Sequence, residues 1–121
     1  MAPNGATAGP YSHAVDTDPY VYLSGQTPVD SATGRLVEGS VADQTRQCFT
    51  NLFAVLTVGG LTSDDVVKCN VYLTNMADFA EMNKVYAEHF KAPYPARTTI
   101  GVASLPLGAR IEIELIAKRP A

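Results

Sequence analysis

The sequence predicts an α+β fold in the order β-β-α-β-α-β-β, a sheet with two helices on one face. Three observations carry that expectation. Residues 110–117 alternate between Ile and Glu before an apolar end, the period of a strand with one buried face. Two other stretches space their apolar residues at helical intervals: Val41, Thr45, Cys48, Leu52, Val55 and Leu56 in one, Phe79, Met82, Tyr86 and Phe90 in the other. Around them, residues 20–24, 66–73 and 98–103 are short runs rich in β-branched, aromatic or small side chains, bounded by turn signals.

In chain order, Gly9-Pro10-Tyr11-Ser12 is an ordered loop, because Pro10 fixes one dihedral while Gly9 permits almost any. Residues 13–15 form a short strand, and Tyr20-Val21-Tyr22-Leu23-Ser24 a clearer one that Gly25-Gln26-Thr27-Pro28 breaks. Residues 30–34 make a surface turn. Ser40 caps the first helix with Asp43 in its first turn, and Gly59-Gly60 ends it. Asp64 and Asp65 are adjacent turn residues that point apart and receive no catalytic role. Residues 66–73 form a strand with apolar residues in both registers. The second helix covers residues 78–90, with Asp78 and Glu81 spaced as a capping box and Asn83 at the edge of the apolar face. Pro93 and Pro95 end it and lead into Arg97. Residues 98–103 and 110–117 then read as a hairpin across Leu105-Pro106-Leu107-Gly108, with Glu112 and Glu114 opposite Ile111, Ile113 and Leu115.

The 121 residues fit one domain, 1–121, and 46% hydrophobic residues suffice for one modest core. A net charge of −3 with scattered basic residues lacks the footprint of a nucleic-acid binder. No run approaches the roughly 20 apolar residues of a membrane span, and the N-terminus has no targeting pattern, so the expected setting is cytoplasmic. Cys48 and Cys69 stand far apart without a ligand cluster and read as buried free thiols, with no metal. His13 and His89 have no nucleophile placed with them, and His89 reads as an exposed helix-end residue. Two helices cover one sheet face only. Because residues 66–73 and 98–103 are apolar or uncharged on both sides, the second face calls for oligomerisation.

Pro95-Ala96-Arg97, Leu105-Pro106 and Glu112-Ile113-Glu114-Leu115-Ile116-Ala117, with Gly9-Pro10-Tyr11-Ser12 and Ser24-Gly25-Gln26 upstream, resemble the RidA (YjgF) family of enamine/imine deaminases. The likeness runs through nearly the whole chain in the right order. It implies a chorismate-mutase-like fold and a homotrimer whose sheets form a central barrel, with sites in the clefts between subunits. It also implies hydrolysis of 2-imino acids, such as that formed from 2-aminoacrylate, to 2-keto acids and ammonia without a cofactor. By the same resemblance Arg97 clamps the substrate carboxylate with its planar two-pronged donor, and Glu112 holds the attacking water and accepts its proton. Tyr11 belongs to a pocket loop and can donate to an imine nitrogen or water. Asn83, Gly25 and Thr99 are the remaining substrate-binding candidates, although Asn83 also reads as a satisfied buried amide and Gly25 as a turn residue. Glu114 reads as a solvated residue of the strand.

Two departures stand out. His13 occupies a position where the family usually has glutamine, and Thr99 one where many deaminases have cysteine. A different class of function, a carboxylate-binding or chaperone-like regulator, would keep Arg97 and not need Glu112. Ribonuclease activity, a third reading, fits poorly with the acidic balance.

Overall fold

The computed structural model describes residues 11–121, so Gly9 and Pro10 of the predicted loop lie outside the described residues. Strands β1 (Ala14–Asp16), β2 (Tyr20–Gln26), β3 (Val29–Asp30) and β4 (Arg35–Leu36) precede helix α1 (Val41–Val58). Strand β5 (Val66–Leu73), helix α2 (Phe79–His89), β6 (Ala96–Gly101) and β7 (Ile111–Lys118) follow. The predicted order is present, with a small β3–β4 hairpin added around the turn at residues 30–34.

The main sheet runs β1-β2-β7-β5-β6. The predicted hairpin between the last two strands is not formed. β6 pairs in parallel with β5, whereas β7 lies antiparallel to both β5 and β2. Leu105-Pro106-Leu107-Gly108 does turn the chain, but the connection crosses the end of β5 before the chain re-enters the sheet. Val102 donates to the Leu73 carbonyl at 2.8 Å and Thr74 to the Arg110 carbonyl at 3.1 Å. A local turn signal shows that a chain reverses; which neighbour receives the next strand is a long-range matter of burial. β7 goes to the centre, where Ile111, Ile113 and Leu115 are all at most 1% exposed. Each such side chain contributes about 1.5–3 kcal/mol by leaving water.

Both helices cover this apolar face. Ser40 caps α1, its hydroxyl accepting from the Asp43 amide while Asp43 returns a bond to the Ser40 amide. The predicted stripe from Val41 to Leu56 is buried throughout, and Phe49, absent from it, is buried as well. Phe49 centres an aromatic group with Tyr86, Phe90 and His89, the last stacked at 4.6 Å. His89 is therefore half-buried rather than exposed, with its Nδ1 2.8 Å from the Val85 carbonyl. Both cysteines are free and buried, and burial pushes both thiols up, Cys69 to about 12. Their inertness follows.

The second helix starts differently from the prediction. Asp78 makes no capping bond and instead pairs with Arg110 at 3.3 Å. Glu81 accepts from the Ala42 amide at 2.8 Å, completing the N-terminus of α1 instead of its own. The chain enters α2 through a 3-10 turn, Met76–Asp78, capped by Asn75. Tertiary partners have drawn both acids away from the local motif.

The second sheet face also needs correcting. It is not an apolar surface: Lys68, Asn70 and Tyr72 of β5 are only partly buried on it, beside Glu112 and Glu114. Tyr22 and Ile100 add exposed apolar area. Among the described residues no helix is long and apolar enough to cross a membrane.

Candidate functional site

Alternation on β7 fixes the direction of the two glutamates. With Ile111, Ile113 and Leu115 under the helices, Glu112 and Glu114 emerge together on the uncovered face, half-buried. There they line a pocket of about 400 Å³ with Tyr11, Ser24, Gly25 and Thr27 on one side and Pro106 and Leu107 on the other. A wider depression of about 670 Å³ beside the β3–β4 hairpin contains none of the predicted site residues.

The pocket wall is tied from behind. α1 reaches the chain leaving β2 by three side-chain bonds: Cys48 to the Gln26 carbonyl at 3.3 Å, and Asn51 to those of Thr27 at 3.4 Å and Val29 at 2.9 Å. On the other flank Ser24 donates its amide to His13 at 2.9 Å and its hydroxyl to the Ser12 carbonyl at 2.5 Å, fixing the segment that carries Tyr11. His13, the departure from the family pattern, is buried; its Nδ1 lies 3.0 Å from Gln26 Nε2, and its ring is edge-on to Tyr11 at 6.4 Å. Gly25 has a specific reason to be glycine. A Cβ there would stand 2.0 Å from Glu112 Oε2, so the missing side chain is the seat of the carboxylate.

Burial, and then the charge of Glu114, holds the Glu112 carboxyl above the usual glutamate range. Glu114 is not the solvated residue expected from sequence. Tyr72 Oη donates to its Oε1 in a short bond, and Asn70 Nδ2 donates to the same oxygen at 3.1 Å. The bond to Glu114 and burial push the Tyr72 phenol up to about 12. Lys68, next on this face, donates to Thr98 at 2.9 Å.

Arg97 belongs to different surroundings. On β6 it is directly opposite Cys69, which is itself opposite Leu115, so Arg97 shares the helix-covered side of the sheet. At the sheet edge its guanidinium carbon lies 4.6 Å above the Tyr86 ring and 5.5 Å from that of Phe79. Arg97 Nη1 donates to Asn83 Oδ1 at 2.6 Å, and Asn83 is exposed rather than a buried amide. Cation–π contact and one hydrogen bond orient the guanidinium, but no carboxylate pairs with it among the described residues. Thr99 is on the same side, opposite Val71, with its hydroxyl buried and unpartnered.

The six predicted site residues thus form two groups. Tyr11, Gly25 and Glu112 meet on the uncovered face; Arg97, Asn83 and Thr99 belong to the helix side of β6. Within one chain the sheet separates them. Sequence reasoning missed Tyr72 and Asn70 as partners of Glu114, and Tyr86 and Phe79 as the platform for Arg97. The first pair is marked in the sequence by polar residues at alternate positions of β5; the helical spacing of Phe79 and Tyr86 marks the second pair only as core.

The chain matches the endoribonuclease L-PSP family model over residues 2–119. It is 47% identical to a RutC family protein of Pyrococcus horikoshii over 109 residues, 90% of this chain and 86% of that protein. It is likewise 47% identical to a 2-iminobutanoate/2-iminopropanoate deaminase of Dermatophagoides farinae, over 89% of this chain and 84% of the relative. Among solved structures, RidA from an Antarctic Psychrobacter superposes with a TM-score of 0.91 at 42% identity, covering 96% of this chain and 94% of that one.

Proposed function

The chain belongs to the endoribonuclease L-PSP (YjgF/RidA) family, and on that premise we propose that it hydrolyses short-lived 2-imino acids to 2-keto acids and ammonia. The observation that carries this reading is Arg97: a guanidinium over the Tyr86 ring at 4.6 Å, bonded to Asn83, and without an acidic partner among the described residues. Such a group is preorganised for an incoming carboxylate. The relatives named as imine deaminases support the choice of substrate class.

The reaction needs both groups of residues, and they occupy opposite faces of one sheet. The site is therefore completed between copies, Arg97 of one chain serving the pocket that holds Glu112 of another, in a homotrimer. Arg97 clamps the carboxylate of the imine. A water beside Glu112 adds its oxygen to C2 as the carboxylate takes a proton from it. That proton passes to nitrogen to give the carbinolamine; the hydroxyl proton then follows it to nitrogen as the C=O forms, and the C–N bond breaks with its electron pair leaving on ammonia, so that the keto acid remains. Tyr11 donates to the imine nitrogen or the water, while Asn83 keeps Arg97 in place, Gly25 leaves room for Glu112, and Thr99 offers a hydroxyl beside Arg97. Positioning and proton transfer suffice because the imine carbon is already electrophilic. The proposed setting is cytoplasmic.

Generating imino acids in situ with an amino-acid oxidase tests the proposal. Faster keto-acid release in the presence of this protein is expected. No acceleration across small and branched imines would leave a carboxylate binder in its place.

A further inference from the structure

Two carboxyls two residues apart on one strand face invite the question of which one holds a proton. Their surroundings differ. Glu114 receives two hydrogen bonds at one oxygen, from the Tyr72 phenol and the Asn70 amide. Glu112 receives no such bond among the described residues; it rests against the bare backbone of Gly25 in the pocket. Different surroundings for neighbouring like groups are how proteins assign acid and base roles.

We propose that Glu114 is a positioning residue for Glu112: a fixed negative charge, pinned by Tyr72 and Asn70, that makes Glu112 the carboxyl that takes up the proton. The inference rests on the proposed deaminase reading for its place in the reaction, but not for the coupling itself. Within one chain, no cationic side chain among the described residues lines the pocket; Arg97 of another copy is the one cation the proposed site brings to it. Tyr72 faces Glu112 from β5, Tyr11 and the uncharged Ser24 and Thr27 from the β2 side, and Pro106 and Leu107 from the turn. Behind the sheet is the neutral Cys48 thiol. Lys68 is engaged with Thr98 further along the face. The repulsion from Glu114 adds to burial in holding the Glu112 carboxyl up, which makes Glu112 a stronger base when ionised.

The test compares wild type, Glu114→Gln and Glu114→Asp, which share every other group, including any Arg97 from a second copy. Two readouts are taken: the Glu112 carboxyl titration by carbon NMR, and the pH dependence of kcat/KM for imine hydrolysis. In Glu114→Gln the Glu112 titration and the acid limb of the profile are expected to move together to lower pH. The plateau should fall on the order of threefold as the base weakens. Glu114→Asp, retaining the charge, should keep both near wild type, a rescue that mere packing or hydrogen bonding by the side chain would not give. An unmoved Glu112 titration in Glu114→Gln overturns the proposal whatever happens to turnover. A moved titration with an unmoved acid limb also overturns it, because Glu112 is then not the group whose proton limits the reaction. If the titration moves and wild type never hydrolyses imines, the charge coupling stands and the deaminase reading falls.

Discussion

The Arg97 half and the Glu112 half of the molecule solve opposite electrostatic problems. Arg97 is kept oriented by neutral groups, the faces of Tyr86 and Phe79 and the carbonyl oxygen of Asn83, so its charge stays unspent. Glu112 is kept basic by burial and a neighbouring carboxylate, one oxygen of which is held by Tyr72 and Asn70. Placed side by side, the two would form an ion pair and consume each other's donors and acceptors. The sheet prevents this within a chain. An unneutralised cation and an unneutralised anion on opposite faces are useful only where a ligand, or another copy, brings them together.

The largest expected effect removes what both halves share. Ile113→Ala empties a fully buried position of β7, between Glu112 and Glu114, and should cost roughly 2–5 kcal/mol in denaturant unfolding. A loss well below 1 kcal/mol would show that β7 is not the common floor. Arg97→Lys separates the halves: turnover should fall about 100-fold while the melting temperature stays nearly unchanged, because a point charge attracts the imine without orienting it. A fall in melting temperature with proportionate loss of activity would give Arg97 a structural role instead. Gly25→Ala attacks the other half alone. Its methyl group displaces Glu112, so turnover should drop between about tenfold and 100-fold while carboxylate binding at Arg97 persists. Unchanged turnover would mean that the Glu112 position is not critical.

The smallest effect is in the pH dependence. Because the folded Glu112 carboxyl titrates above its ordinary range, the acid limb of turnover should lie above that of a free glutamate. The sign for stability is the reverse of a salt-bridged acid. A raised carboxyl contributes stability that is fully present below the unfolded pKa and is lost as pH rises through the folded one. Asp16, held low by its bond to Arg119, contributes stability above its unfolded pKa that is lost as pH falls through the folded one. In the residual turnover of Glu112→Gln the acid limb should be gone, and an acid limb that survives there would assign it to another group.

Legibility in sequence followed the range of the interaction. The Ser40 cap, the α1 stripe and the inward side of β7 are set by residues a few positions apart, and all are as read. The family motifs singled out Arg97 and Glu112 as candidates. Strand order was not legible, since nothing local to residues 96–118 says that β5 will be inserted between β6 and β7. The error carried into the site: the face on which Arg97 emerges depends on its pairing with Cys69, twenty-eight residues upstream. Asn70 and Tyr72 did leave a signal, alternating with Cys69 and Val71, but apolar residues in both registers of that strand obscured it. Asp78 and Glu81 show the converse, a well-spaced local motif overridden by Arg110 and the Ala42 amide.

The most direct test of a site completed between copies is complementation. Arg97→Ala and Glu112→Ala, each inactive alone, would be unfolded, mixed in equal amounts and refolded together. If every site takes Arg97 from one copy and Glu112 from another, random assembly restores about a quarter of wild-type turnover, because each site draws its two chains independently. Activity no higher than that of the separately refolded variants, with mixed oligomers confirmed by mass, would place both groups in the service of a single chain and contradict the shared site.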